Sequence, residues 1–296
     1  MAFLNRKIDM NFEVLYKNLV KGLSSYIKGN NLKAMILGIS GGLDSTIVAS
    51  IAQDASKEVG VPFIGLSLPC DTNKKDENDS ANLAGKMCGK YRVINIEPIY
   101  KTQSAFFKSI SEKESNAIAE GNIKARIRYS LLHHFASLYG GIVLDTDNLT
   151  EHHTGFFTIG GDVGEINPIG GLWKHDLYEL AKWLRNNKTE YADAFQHAID
   201  ITPTDGNGTS KSDLDQIAPG LTYSNVDEIL EFWITVPTKD KVDVLNDKIV
   251  KSEFTKLREK FGKELVDGVA WRNVKTEFKR KHLPLVINPK NGAIID

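Results

Sequence analysis

The sequence predicts an α/β protein: a doubly wound parallel sheet with helices on both faces. Two observations carry that prediction. Apolar runs too short for helices recur along the first half of the chain, and segments of helical periodicity separate them. Residues 9–27 place Phe12, Val14, Leu15, Leu19, Leu23 and Ile27 at helical spacing, which predicts an amphipathic opening helix. Residues 34–39, AMILGI, are almost wholly apolar and lead into serine and glycine, as a strand buried on both faces does. Residues 46–55 continue as helix. Further strands are predicted at 63–68, 91–96 and 141–144, with helices at about 77–87 and 122–138 between them. Parallel neighbours of this kind require right-handed crossovers. Ligands in such sheets sit beyond the carboxyl ends of the strands, so the loops after Ile39, Leu68 and Leu144 are expected to share one crevice. Beyond Val226 the pattern is helical to about His282, with no repeat or linker. A single domain over 1–296 is expected, with a core at about 30–190 and a loop and helical part at about 200–296.

Composition narrows the function classes. With 296 residues, 41% hydrophobic and 25% charged, the chain can bury one sizeable core with appendages. Its 37 basic and 38 acidic side chains leave a formal charge of −1, so no global field favours nucleic acid or an anionic membrane. No window approaches the ~20 apolar residues of a membrane span, and residues 1–11 carry no signal-like apolar stretch. Cys70 and Cys88 form no C-x-x-C pair and suit a reducing compartment, so a cytoplasmic location is expected. His133–His134 and His152–His153 lack the i, i+4 spacing of a helical zinc site. The basic run 279–282 fits a solvated face or a lid over an anionic ligand better than a nucleic-acid surface.

The segment Gly38, Ile39, Ser40, Gly41, Gly42, Leu43, Asp44, Ser45 places glycines and serines between a buried strand and a helix start. Glycine tolerates positive φ and lets a phosphate approach closely, while the helix N-terminus and the serine hydroxyls supply donors. Asp44 offers a hard oxygen to a divalent cation beside the same phosphates. The run has neither the Walker spacing nor G-x-G-x-x-G. It resembles the S-G-G-x-D-S loop of the ATP pyrophosphatases, which split ATP between its α and β phosphates and transfer AMP to an acceptor oxygen.

Further segments spread a narrower resemblance from Gly38 to Arg280, to the ammonia-dependent NAD synthetases of that superfamily. GNIKARIR at 121–128 is similar to G-N-[IV]-K-A-R-x-R, and the resemblance implies that Arg126 contacts deamido-NAD. TDNLTE at 146–151 looks like T-D-x-x-[TAS]-E, implying that Thr146 meets ATP and that Glu151 shares a magnesium ion with Asp44. TGFFTIGGD at 154–162 resembles T-G-F-F-T-K-x-G-D, with Ile159 where the family has a substrate-binding lysine. The match implies a role for Asp162 beside the reacting carbonyl, positioning or deprotonating ammonium, and makes Glu165 the counterpart of a substrate-binding aspartate. Lys174 falls at the family's ATP-binding lysine and Thr204 at a threonine that touches ATP. TEFKR at 276–280 resembles T-E-H-K-R, so Lys279 carries over to deamido-NAD, and Phe278, in place of a histidine, is expected to offer that substrate stacking but no hydrogen bond. The implied fold is adenine nucleotide alpha hydrolase-like, and the implied assembly is a homodimer in which the helices after Val226 take part.

The implied reaction adenylates the nicotinate carboxylate of deamido-NAD with ATP, after which ammonia displaces AMP to give NAD; Mg2+ assists and ATP is the co-substrate. Splitting one poor acyl transfer into two easier steps needs no enzyme nucleophile. Residues 204–220 are expected to act as a lid that keeps water from the acyl adenylate. Two alternatives are a related pyrophosphatase acting in tRNA thiolation, which calls for a cysteine pair or basic RNA module absent here, and a nucleotide-binding protein that has lost catalysis.

Overall fold

The computed structural model describes residues 10–70, 75–161, 164–204, 211–281, 285–287, 289–292 and 294–295. Helix α1 (Phe12–Gly29) opens at Asn11, whose side chain accepts from Val14 N at 3.1 Å, and buries the stripe Leu15, Leu19, Leu23 and Ile27. Strand β1 (Met35–Gly38) leads through the glycine–serine turn into α2 (Leu43–Val59), and β2 (Phe63–Ser67) leads into α3 (Lys75–Gly85). Strand β3 (Lys90–Val93) precedes α4 (Glu97–Ile110) and α5 (Ala117–Tyr139), which returns to β4 (Ile142–Val143). All four strands are parallel in the order β3-β2-β1-β4, so β1 lies between two neighbours.

Alternation along β1 shows the double winding. Met35 and Leu37 pack into one core with α1 and α2, whereas Ala34 and Ile36 pack into a second with Ile123 and Ile127 of α5. A strand buried on both faces of the sheet is apolar at successive positions, which is why AMILGI lacks alternation.

After α6 (Leu149–Thr154) comes β5 (Ile166–Asn167), then α7 (Lys174–Asn187), α8 (Ala192–Asp200) and α9 (Asp213–Ile217). Helices α10 (Tyr223–Trp233), α11 (Thr238–Leu245), α12 (Ser252–Phe261) and α13 (Lys263–Lys275) form a third core. Leu149 and Trp173 belong to that core too, so the helical part packs directly against the loops that follow the sheet.

Three features differ from the sequence expectation. Helix α4 was not expected, although EPIYKTQSAFFKSI is amphipathic; in the fold its Phe106, Phe107 and Ile110 are exposed. Strands β3 and β4 are shorter than expected. A second sheet, β5-β6-β7, joins residues 166–167 to β6 (Leu285–Ile287) and β7 (Ile294–Ile295), and a bridge from Leu144 to Ile166 ties it to the main sheet.

Candidate active site

Beyond the carboxyl ends of β1, β2 and β4 lies a cavity of about 470 Å3. Every residue expected to meet ATP lines it except Gly41. Gly41 instead holds φ +80° against α3, where its carbonyl accepts from Ser80 Oγ at 2.5 Å. Gly42 is the N-cap of α2 and brings no side-chain cap, so Gly42 to Ser45 present the helix N-terminus to the cavity. The turn is braced from within: Ser40 Oγ and Ser45 Oγ lie 2.9 Å apart, and Gly42 N donates to Ser40 Oγ at 3.2 Å.

Two acids from the first turns of separate helices, Asp44 of α2 and Glu151 of α6, converge on one lysine beside this turn. Lys174 Nζ, at the start of α7, donates to Asp44 Oδ2 at 2.5 Å and to Glu151 Oε1 at 3.0 Å. The second oxygen of each acid is engaged by Asn148: its Nδ2 donates to Asp44 Oδ1 at 2.9 Å and its backbone N to Glu151 Oε2 at 3.2 Å. Asn148 is fully buried and caps α6, its Oδ1 accepting from Glu151 N at 3.0 Å. Burial pushes the Glu151 carboxyl up while the Lys174 ammonium opposes that push. For Lys174, burial disfavours the charge, and Asp44 and Glu151 more than restore it, so its pKa rises well above the usual value. The arrangement is a protonated ammonium held between two carboxylate acceptors.

The cavity wall opposite the turn comes from α5. Lys124, Arg128, Tyr129 and His133 line it, and Arg128 Nε donates to Leu68 O at 3.1 Å. Leu37, Leu66, Leu68 and Leu132 add an apolar side, so the cavity offers a polar end for phosphates and an apolar slot.

The four residues expected to bind deamido-NAD do not line the cavity. Arg126 is exposed on α5, its Nη2 3.5 Å from Ile159 O, and Phe278 is 59% exposed. Glu165 accepts from Val143 N at 2.9 Å and meets His133 Nε2 at 2.7 Å. Lys279 Nζ donates to Gly155 O at 2.8 Å and Phe157 O at 2.5 Å. With Arg272 on Thr154 O and Arg280 on His153 O, it gathers positive charge at the carboxyl end of α6. Lys279 and Arg280 of the basic run therefore act here on carbonyls. Burial, then Arg280, lowers His152 to about 4, and burial lowers His153 as well, so both imidazoles are neutral packing groups beside Glu151. Asp162 and residues 205–210 of the expected lid lie outside the described residues.

Sequence reasoning missed Asn148, and it missed Asp227 of α10, whose carboxylate accepts from Thr150 Oγ1 and His175 N. For Asn148 a signal existed, an N-cap residue three before a glutamate. For Asp227, 77 residues from Thr150, there was none.

A parallel sheet feeding a glycine–serine turn toward a buried lysine and two acids defines an α/β protein with its site at the strand ends, and its solved relatives have the adenine nucleotide alpha hydrolase-like fold. The family model for NAD synthase matches residues 15–282, and the chain belongs to that family. It is 32% identical over 289 residues to the NH(3)-dependent NAD(+) synthetase of Pyrococcus furiosus, covering 97% of this chain and 98% of that one. Among solved structures, the NMN synthetase of Francisella tularensis superposes with a TM-score of 0.70 at 26% identity, covering 93% of this chain and 98% of that chain. The NH3-dependent NAD synthetase of Campylobacter jejuni superposes with a TM-score of 0.66, also at 26% identity, over 92% and 98%.

Proposed function

We propose that this chain is an ammonia-dependent NAD synthetase, a ligase that forms a C–N bond on the nicotinate carboxyl of deamido-NAD at the expense of ATP. The observation that carries this reading is the convergence of Asp44, Glu151 and Lys174 at the mouth of the Ser40–Ser45 turn. ATP lies with its phosphates on that turn and its base toward the apolar slot of β2 and α5. The substrate carboxylate attacks the α-phosphorus, the bond to the bridging α–β oxygen breaks, and pyrophosphate leaves. Donors of the turn and the Lys174 ammonium stabilise the charge that builds on the leaving group. Ammonia, positioned or freed from ammonium by Asp162, then attacks the acyl carbon, AMP leaves, and the nitrogen gives up one proton to solvent.

Magnesium belongs to the same proposal, and the donor set fits it. Among the described residues no group of three metal-binding side chains occurs, but magnesium is commonly held by one or two carboxylates, with phosphates and water completing its shell. Asp44 and Glu151 are the residues that would hold it. When bound, the ion neutralises charge on the departing pyrophosphate.

Homodimerisation is also proposed, through a different surface from the one expected. The helices after Val226 bury most of their apolar side chains in their own core and expose Val242 and Leu265 singly, whereas α4 and the start of α5 expose Phe106, Phe107, Ile110 and Ile118 together. Phe106→Glu combined with Ile110→Glu is expected to yield a monomer in light scattering where the wild type is a dimer. A variant that remains dimeric would move the interface elsewhere. A cytoplasmic location completes the proposal, supported by a sequence with two cysteines, Cys70 and Cys88, in no C-x-x-C pair; no described helix is long and apolar enough to cross a membrane.

The function is tested by incubating the protein with ATP, Mg2+, ammonium and deamido-NAD, following NAD and AMP by chromatography. Equal yields of NAD and AMP are expected. Because one relative is an NMN synthetase, a parallel reaction carries nicotinate mononucleotide. Faster amidation of the mononucleotide would reassign the acceptor, and AMP formation with neither acceptor would end the reading.

A further inference from the structure

Helix α7 begins badly by itself. Its N-cap is Trp173, which offers no side-chain acceptor, yet the N-terminal turn is buried and its first residue is the lysine that bridges both acids. The missing caps arrive from two other helices. Lys174 N donates to Thr150 Oγ1 of α6 at 2.9 Å, and His175 N donates to Asp227 Oδ2 of α10 at 2.9 Å. Thr150 Oγ1 in turn donates to Asp227 Oδ1 at 2.5 Å. Thr150 and Asp227 are both fully buried.

One carboxylate thus ties the helix that carries Glu151 to the helix that carries Lys174. From this we infer that Asp227 is a positioning residue for the reaction, acting through the Thr150 hydroxyl and the first turn of α7 to hold the Lys174 ammonium at its station beside Asp44 and Glu151. The inference rests on the function proposed above. A carboxylate suits the position because both of its oxygens must accept, and because negative charge at a helix N-terminus is favoured by the helix dipole. An amide cannot replace it. Asparagine has one acceptor oxygen, so its NH2 would face either the His175 N–H or the Thr150 hydroxyl, and the latter would have to turn away from its present partner.

Four variants test it: Asp227→Asn, Thr150→Val, Thr150→Ser and the double variant Asp227→Asn/Thr150→Val. NAD formation by the wild type is assayed alongside, and a crystal structure of Asp227→Asn without substrate gives a second readout. Displacement of a reacting group by 1 Å can cost up to about a hundredfold in rate. Asp227→Asn and Thr150→Val are therefore each expected to lower kcat by about tenfold or more while leaving the KM for deamido-NAD within about threefold. Thr150→Ser, which keeps the hydroxyl, stays within about threefold of wild type, and the double variant is no slower than the worse single one, because both break one network. In the crystal, Lys174 Nζ leaves hydrogen-bond reach of Glu151 Oε1. Unchanged kcat in Asp227→Asn, or additive losses that follow the melting temperature alone, would overturn the inference. If the wild type makes no NAD, the proposed reaction fails, and the crystal structure still decides: Lys174 Nζ unmoved from Asp44 and Glu151 rejects the positioning role.

Discussion

Lys174→Met is expected to lower kcat/KM by about a thousandfold, on the scale of losing a single donor aimed at developing charge in a closed site. The same variant changes the protein without substrate, which separates two roles of one ammonium. Lys174 is 2% exposed and sits between Asp44 Oδ2 and Glu151 Oε1. Removing one partner of a buried ion pair costs about 3–5 kcal/mol, because the remaining charge is left buried and uncompensated. Denaturant titration should show a loss of that order at neutral pH. Asn148 engages the other oxygen of each acid, so a cation shared by the pair would use the atoms on which Lys174 now rests. Magnesium without nucleotide is therefore expected to stabilise Lys174→Met more than wild type, read as a larger rise in melting temperature. Equal shifts would mean that lysine and metal do not compete, and wild-type turnover would remove Lys174 from the chemistry.

That competition marks a boundary of what the sequence shows. The turn was legible because its chemistry is local: AMILGI followed by SGGLDS places a buried strand, a glycine-rich bend and a helix start within one short stretch. Glu151 and Lys174 were reached through resemblance, since nothing in the spacing of residues 44, 151 and 174 says that their side chains touch. The Asn148 clamp was half visible as an N-cap, but its bond to Asp44 spans 104 positions. Asp227 was invisible, because a lone aspartate on an amphipathic helix looks like a solvated one until α10 is packed on α6 and α7. The second sheet failed to register for another reason: strands of two or three residues have too few alternations to carry a period. Arg126 and Phe278 show the opposite case, since resemblance assigns them to substrate while the fold leaves both exposed beyond the cavity.

Gly41→Ala and Gly42→Ala should differ sharply although the residues are adjacent. Gly41 has φ +80°, and a Cβ there would lie 2.3 Å from Ala81 N and 2.5 Å from Ser80 C. Those are backbone atoms of α3, which no rotamer change can move aside. A left-handed conformation costs a residue with a Cβ roughly 1–2 kcal/mol, and overpacking adds typically about 1–3 kcal/mol. Gly41→Ala is accordingly expected to lose about 3 kcal/mol or more in denaturant unfolding, and to raise the KM for ATP by about tenfold as the displaced turn loses its aim. Gly42 has φ −71°, and a Cβ there would meet only Ser40 Oγ, at 3.4 Å. Its loss is that of a poorer N-cap, about 1 kcal/mol. The pair thus isolates contact with α3 from glycine content in general. Similar stability losses in both variants would show that the turn is not braced by α3, and that the grip on phosphate is set within residues 40–45 alone.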